Sequence, residues 1–388
     1  MRQWLVPALA ALLLLNGCGW IKNWGKADDA DAPAELTEFV PTLKVGKVWS
    51  TRVGSGLDEA GRQLWPVHSS GTLYAADYKG LLMAIDADSG RKLWESKTKL
   101  PFTGGPGISG ELLLMGTQDG EVYAFDATSG TQLWSATVTS EVLAAPAESD
   151  GIVIVRCIDG RVFGLDADTG RRIWIYDHSV PLLSLRGNAP PLLRAGVAFI
   201  GYDGGQVVAL RQQDGTLMWE QTLVTTEGRT ELERLSDIDG QLVFIASDLL
   251  VSSYKNRLAS LAADSGRLLW FKDISSASGV VVDRVNLAIS DRDGNLWLVD
   301  RRNGAEFWKN NQLLRRGLTR PAIYGSFVVV GDAEGYLHWI NISDGLFAAR
   351  AKVGGKGFSG PPLVVGNTLY VMTKKGELVA FRAGAALN

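Results

Sequence analysis

The sequence predicts an all-β fold, an eight-bladed β-propeller made of four-stranded antiparallel blades. Three observations predict it. A repeat recurs with a period near 40 residues, every copy carries two hairpin-type turns, and the incomplete last copy lacks a strand that the start of the chain can supply. A hydrophobic content of 46% and a charged content of 21% suit a globular chain with a large core.

The repeat is clearest in three consecutive copies. They end at Trp94, Trp134 and Trp174, so the period is 40 residues in both steps. Their sequences are KGLLMAIDADSGRKLW, DGEVYAFDATSGTQLW and DGRVFGLDADTGRRIW. Weaker copies follow, and the seventh copy carries Ala349 where the tryptophan would stand. Units of this length that hide their apolar faces against neighbours are typical of propellers.

Each copy alternates apolar and polar residues around two turns, which indicates strands joined by hairpins. The first turn ends in glycine, which accepts a positive φ without a Cβ clash. The second turn reads Asp-Ala-x-Ser/Thr-Gly, and its Asp and hydroxyl side chains can bond to the turn backbone. A proline recurs upstream, and it suits the first residue of a strand because no ladder donor is lost there.

The first-turn positions count eight blades: Gly80, Gly120, Gly160, Gly204, Asn256, Gly294, Gly335 and Gly376. The eighth copy stops at Phe381 without its last strand. Trp49 follows the pattern of that strand, so the N-terminal strand is predicted to pair into the C-terminal blade and close the ring. Closure hides edge strands that would otherwise recruit other chains.

One tryptophan per copy stands at the same place, and we call these residues the tag tryptophans. Their recurrence predicts packing between neighbouring blades, not a ligand cage: Trp49, Trp94, Trp134, Trp174, Trp219, Trp270 and Trp308. Cys157 lies in an apolar strand and is predicted to be a buried thiol.

The region before the propeller divides in two. Residues 1–17 contain an apolar run that is shorter than the roughly 20 residues of a membrane span and reads as a signal peptide. Cys18 follows Leu15-Asn16-Gly17 and resembles the acylated cysteine of a bacterial lipobox. Residues 18–43 are acidic and predicted to be a flexible tether, and residues 44–388 form the propeller. Gly19 after the cysteine favours the outer membrane, with the protein lipid-anchored and facing the periplasm.

Composition excludes several classes of function. Lys and Arg total 39 against 42 for Asp and Glu, a net charge of −3, which argues against a nucleic-acid partner. With 2 cysteines and 3 histidines the chain has no metal-ligand spacing. No nucleophile elbow or phosphate loop is present, so we expect no catalytic residues, no metal and no cofactor.

The connections between blades break the regularity on one face. From tag residue to the next proline they are 12 or 13 residues long in the regular cases. They grow to 16 residues from Trp174 to Pro190. From Trp219 to Leu242, which stands where the proline would be, they reach 23. The first long link contains Leu183, Leu185 and Arg186, and the second contains acidic residues; such a mixture is typical of a protein-binding patch. The alternative is that the leucines fold back onto the blades.

The repeat resembles that of PQQ-dependent alcohol dehydrogenases, yet the chain is shorter and lacks their adjacent cysteine pair. A lipobox, an acidic tether and a lone eight-bladed ring resemble the BamB family of outer-membrane β-barrel assembly lipoproteins. That resemblance also covers the seventh-blade segment that begins Asp332-Ala333-Glu334-Gly335. It implies a non-enzymatic scaffold of the BAM complex with BamA, through its POTRA domains, as the partner, and with unfolded outer-membrane proteins as further clients.

The same resemblance implies which residues bind the partner. The family's interaction segments match Leu183-Ser184-Leu185-Arg186 and Leu235-Ser236-Asp237-Ile238-Asp239. By position, Leu183 and Leu185 are implied to be apolar anchors and Arg186 a charged donor. Asp237 and Asp239 are implied to be acceptors or supports of the loop. The rival interpretations are a PQQ-dependent dehydrogenase or quinone-sensing propeller, and a carbohydrate-binding propeller that uses the aromatics.

Overall fold

The computed structural model of the chain describes residues 32–57, 63–181, 189–223, 236–255, 257–276 and 278–386. All regular elements in these ranges are β-strands, and they form eight sheets. The first strands of successive sheets contact one another, so the sheets stand as blades around one axis with their first strands innermost. The predicted eight-bladed propeller is confirmed. No helix in the described ranges is long and apolar enough to cross a membrane.

Two strands precede the first blade. They are β1 (Leu43–Arg52), which belongs to the last blade, and β2 (Gln63–Leu64), which pairs in parallel with the first strand of blade 2. Blades 1 to 4 follow in chain order. Blade 1 has β3 (Val67–Ser69), β4 (Thr72–Ala76), β5 (Leu81–Asp86) and β6 (Lys92–Lys97). Blade 2 has β7 (Phe102–Ser109), β8 (Leu112–Thr117), β9 (Glu121–Asp126) and β10 (Gln132–Thr137). Blade 3 has β11 (Ala147–Ser149), β12 (Ile152–Arg156), β13 (Val162–Asp166) and β14 (Arg172–Tyr176). Blade 4 has β15 (Leu192–Arg194), β16 (Val197–Gly201), β17 (Gln206–Arg211) and β18 (Leu217–Thr222).

The other four blades continue the same order. Blade 5 has β19 (Val243–Ile245), β20 (Asp248–Ser253), β21 (Arg257–Ala262) and β22 (Leu268–Lys272). Blade 6 has β23 (Val280–Val282), β24 (Asn286–Ser290), β25 (Leu296–Asp300) and β26 (Glu306–Asn310). Blade 7 has β27 (Ala322–Tyr324), β28 (Phe327–Gly331), β29 (Tyr336–Asn341) and β30 (Phe347–Lys352). Blade 8 has β31 (Leu363–Val365), β32 (Thr368–Met372), β33 (Glu377–Ala386) and β1.

The second and third strands of each blade form the core. In β12, for example, Val153, Ile154 and Val155 are all fully buried, because neighbouring blades cover both faces of the sheet. Cys157 follows this strand and is buried as well, which raises the pKa of its thiol to about 12. It belongs to the apolar cluster between blades 2 and 3.

The ring closes as predicted. Strand β1 pairs antiparallel with β33, and Trp49 lies opposite Ala380 in that pairing. The last blade is therefore built from both ends of the propeller domain. This pairing covers the outer side of β33, which would otherwise present unpaired backbone groups.

The tag tryptophans connect each blade to the next. Each indole Nε1–H donates over 2.7–3.1 Å to a backbone carbonyl at the second turn of the next blade. From Trp49 to Trp308 in chain order, the accepting residues are Ala87, Ala127, Ala167, Gln212, Ala263, Arg301 and Ile342. A Cβ on the glycine of that turn would lie only 2.5–2.9 Å from the indole. Glycine is therefore required by close approach as well as by its positive φ.

The exception at Ala349 follows from the closure of the ring. In blade 8 the third strand and the fourth strand come from opposite ends of the chain, so no second turn joins them. An indole on blade 7 would find no turn carbonyl to bond. A small buried residue at position 349 fits that arrangement.

Residues 32–42, within the predicted tether, lie against blade 7. Phe39 stacks on Phe347 with the ring centroids 5.4 Å apart. Arg350 donates from Nη1 to the Thr37 carbonyl over 3.0 Å, and Arg316 donates to the Ala34 carbonyl over 2.8 Å. This part of the segment is held on the ring by both apolar and charged contacts.

Candidate binding face and its buried charge cluster

The two faces of the ring differ in what they carry. The link face carries the first turns of the blades, such as residues 77–80, 157–160 and 202–205, and the connections from one blade to the next. The opposite face carries the second turns, such as residues 86–91 and 126–131. Because antiparallel strands reverse direction at each turn, every link lies on the same face as the first turns.

Both long links meet at the first turn of blade 4. Pro181, in the first long link, packs against Gly204. A Cβ atom added to Gly204 would lie 3.2 Å from Pro181 Cγ. At the end of the second long link, Asp237 accepts the Gly204 N–H over 3.2 Å, and Ile238 donates its N–H to the Tyr202 carbonyl over 3.2 Å. The two irregular segments are thus adjacent on the link face.

The described residues include part of the predicted site. Leu183, Leu185 and Arg186 lie outside the described residues. Asp237 is fully buried, and its carbonyl accepts the Tyr254 N–H over 2.8 Å. Of the two roles that the resemblance implied, Asp237 has the contacts of a support for the link, since its side chain faces the protein interior.

Asp239 has a different environment from Asp237. It is partly exposed, and its Oδ1 atom is buried without a hydrogen-bond partner among the described residues. Burial, with smaller contributions from the charges of Asp237 and Asp203, raises the pKa of Asp239 to about 7. Near neutral pH this carboxyl group is therefore only partly ionised.

These aspartates belong to a cluster that also contains a buried arginine. Carboxylate oxygens of Asp203, Asp237 and Asp239 lie within 4.8 Å of one another. Arg156 donates from Nη2 to Asp203 Oδ1 over 3.0 Å, and both side chains are almost completely buried. The guanidinium also lies over the Tyr202 ring, 5.2 Å from its centroid. Arg156 supplies the cationic charge, so the cluster anchors the end of the second link to blades 3 and 4.

Sequence reasoning did not find Arg156 or Asp203. The available signal was an arginine at the end of the apolar strand β12, where a charge is costly unless it is paired. Its partner lies 47 positions further along the chain, in the next blade. The fold had to be known before the pair could be assigned.

His178 lies at the start of the first long link and is largely buried. Its ring stacks on Tyr202 with the centroids 4.0 Å apart, and its side chain is only 9% exposed. The start of the first long link is therefore packed on the same turn that holds Asp203. The apolar face of Tyr202 makes this contact favourable.

Comparison with known proteins gives full-length matches. A family model described as "Outer membrane protein assembly factor BamB" matches residues 46–99 and 78–310. The BamB proteins of Pseudomonas aeruginosa and Xanthomonas campestris are 47% and 43% identical, over 98% and 97% of this chain and 99% and 97% of their own. The Escherichia coli protein of the same name is 35% identical over 97% of this chain and 98% of its own.

Solved structures agree on the architecture. BamB from Moraxella catarrhalis matches with a TM-score of 0.80 and 29% identity, and the match covers 87% of this chain and all of that one. A europium-containing methanol dehydrogenase matches with a TM-score of 0.71, 90% of this chain and 95% of its own, but only 12% identity, which shows a shared fold alone. Together with the full-length relatives, these matches show that the chain belongs to the BamB family of outer membrane protein assembly factors.

Proposed function

We propose that the chain is a non-enzymatic scaffold lipoprotein that binds the periplasmic POTRA domains of BamA through its link face. The full-length relatives are named outer membrane protein assembly factors, which supports a role in assembling outer membrane proteins within the BAM complex. The POTRA domains as the specific partner come from the family resemblance. An assembly factor needs an interaction surface, and no catalytic constellation is required of it.

One observation carries the proposal. The long links that follow Trp174 and Trp219 meet at the turn of residues 202–205, on one face. Loops that depart from a regular scaffold are where binding residues concentrate. The buried pair of Arg156 and Asp203 ties this turn to blade 3.

The proposed roles of Leu183, Leu185 and Arg186 come from the family resemblance, and those of the two aspartates also draw on their contacts. Leu183 and Leu185 serve as apolar anchors, and Arg186 donates to polar groups of the partner. Asp237 supports the second link from inside, as its contacts with Gly204 and Tyr254 indicate. Asp239, which is partly exposed, is the acidic residue available to a partner.

Membrane attachment completes the proposal. Cys18 carries the acyl chains that hold the protein at the outer membrane, facing the periplasm. The stretch from Cys18 to the contacts of residue 32 can span at most roughly 50 Å, given about 3.5 Å per extended residue. The ring would therefore stay close to the membrane, near the other members of the complex and their unfolded client proteins.

The test measures affinity for purified BamA POTRA domains by calorimetry. Truncating a hot spot costs about 2 kcal/mol or more, so Leu185→Ala and Arg186→Ala should each weaken binding by about thirtyfold or more. Matched controls lie on the opposite face: Leu346→Ala, at an exposed leucine, and Arg211→Ala, at an exposed arginine. The controls should bind like the parent. If both link variants keep their melting temperature and bind like the parent, this surface is not the interface.

The quinone alternative has its own test. Purified chain is mixed with PQQ and calcium, and binding and dye reduction are measured. A scaffold gives neither stoichiometric binding nor dye reduction. Tight stoichiometric binding or reduction of the dye would overturn the scaffold role.

A further inference from the structure

A cavity of about 200 Å³ opens where the links enter the innermost strands. Its lining comes from several blades and mixes apolar walls with a few polar groups. Trp65, Pro190 and Pro361 supply apolar surface, while Gln241, Ser278 and Arg320 supply polar atoms. Because each of these residues lies just before an innermost strand, the cavity lies near the axis of the ring. Mostly apolar walls with a few polar groups are typical of small-molecule sites.

One repeat position contributes a residue from every blade. It is the position just before the residue that is proline in the regular copies, and its occupants in chain order are Trp65, Gly105, Ala145, Ala189, Gln241, Gly279, Arg320 and Gly360. Only Arg320 is charged. Because the repeat otherwise places small or neutral residues there, the charge is a departure specific to blade 7.

The Arg320 side chain extends from blade 7 past blade 6 to blade 5. It passes blade 6 at Gly279, where an added Cβ would lie 3.3 Å from Arg320 Cδ. Its Nη1 then donates to Gln241 Oε1 in blade 5. A side chain at position 279 would crowd this path of Arg320.

This guanidinium lacks a counter-ion in the part of the chain that the structure describes. Its Nε is buried without a hydrogen-bond partner. Burial lowers the pKa of Arg320 to about 10, which reflects the cost of holding the charge away from water. An anion in the cavity would satisfy the free N–H and balance the charge.

The chemistry of the lining selects the kind of anion. A planar guanidinium matches a carboxylate, which can accept two parallel hydrogen bonds. The tryptophan and proline walls favour an apolar or aromatic body. Asp239 also lines the cavity, and its negative charge disfavours anions with more than one charge. We propose that this cavity binds a small organic monocarboxylate, with the carboxylate on Arg320 and an apolar or aromatic body against the walls.

The experiment titrates phenylacetate into the full chain and follows calorimetric heat and tryptophan fluorescence. Phenylacetamide, which has the same body and no charge, is the matched ligand control. Phenylacetate should bind with a Kd of about 1 mM or tighter, and phenylacetamide and inorganic phosphate at least about tenfold more weakly.

Variants assign the binding to Arg320. Arg320→Gln removes the charge but keeps a group that can bond to Gln241, and it should weaken phenylacetate binding by about tenfold or more. Arg320→Lys keeps the charge without the planar fork and should weaken binding severalfold. The control is Arg382→Gln, since Arg382 lines a different cavity and already pairs with Asp88. It should bind like the parent.

Stability gives a readout that separates ligand binding from a structural role. Without ligand, Arg320→Gln should melt at the same temperature as the parent or higher, because a partly desolvated charge that has no counter-ion among the described residues has been removed. Phenylacetate should raise the melting temperatures of the parent and of Arg382→Gln by the same amount, and that of Arg320→Gln by clearly less. The proposal is wrong if phenylacetate does not bind, if phenylacetamide or phosphate binds equally well, or if Arg320→Gln binds like the parent. None of these outcomes depends on the BamA interface.

Discussion

Removal of one tag tryptophan tests how the blades are held together, and Trp174 is the best placed for it. The side chain is 8% exposed and covers two glycines, Gly164 of its own blade and Gly215 of the next. Its Nε1–H donates to the Gln212 carbonyl over 2.9 Å. Trp174→Ala therefore removes packing on both sides of a blade interface and also leaves a buried carbonyl without its donor.

The size of the effect follows from these contacts. Truncation of a large buried aromatic side chain costs about 3–5 kcal/mol. Trp174→Phe keeps a ring in place and loses the N–H, so about 1–2 kcal/mol is expected. For a cooperative domain of this size the alanine variant should melt about 4–7 °C lower.

Urea unfolding followed by fluorescence and circular dichroism measures these differences. The matched control is Leu217→Ala on the outer strand of blade 4, where the side chain is 45% exposed. It should stay within about 0.5 kcal/mol of the parent. If Trp174→Ala also unfolds within about 1 kcal/mol of the parent at an unchanged m-value, the tag tryptophans do not hold the blades together.

Three further predictions concern the charge cluster and the N-terminal segment. The pKa of Asp239 is raised in the fold from 3.8 to about 7. Between these two pH values the folded state binds a proton that the unfolded state has lost. The free energy of unfolding therefore falls by up to about 4 kcal/mol as the pH rises from about 4 to about 7. Asp239→Asn lacks this loss, so its melting temperature relative to the parent should be higher at pH 8 than at pH 5; an equal difference at both pH values would show that Asp239 ionises normally. Arg156→Leu leaves the buried Asp203 carboxylate without its cation and should lower the free energy of unfolding, measured in urea titrations, by about 3–5 kcal/mol. The double variant with Asp203→Asn should recover part of that loss. No recovery would contradict the pairing of these two residues. Phe39→Ala removes the stack on Phe347 and should speed limited proteolysis within residues 32–42. The melting temperature of the ring should change little. Unchanged proteolysis would mean that this stack does not hold the segment.

The ring could be predicted from the sequence because each copy of the repeat contributes the same contact between neighbouring blades. A tryptophan in one copy and a turn glycine in the next are each required by the other, so both recur at a fixed spacing. The count of eight blades and the closure by β1 followed from that period. Even the missing tryptophan at Ala349 has a structural reason, since blade 8 has no second turn to receive it.

The site was less predictable because its contacts join distant parts of the chain. Link lengths indicated which face departs from the repeat. They could not show that Asp237 points inward or that Arg156 pairs with Asp203 in the next blade. Composition likewise suggested a solvated acidic tether through residue 43, while Phe39 packs on Phe347 across more than 300 positions of sequence.

Crosslinking in intact outer membranes tests most directly whether the link face binds another polypeptide. A photoreactive amino acid is placed at position 185 on the first long link, and in separate variants at positions 268 and 346, exposed leucines away from the link face. Position 185 should crosslink to BamA, and positions 268 and 346 should not. Crosslinks to BamA from positions 268 or 346 but none from position 185 would contradict the account.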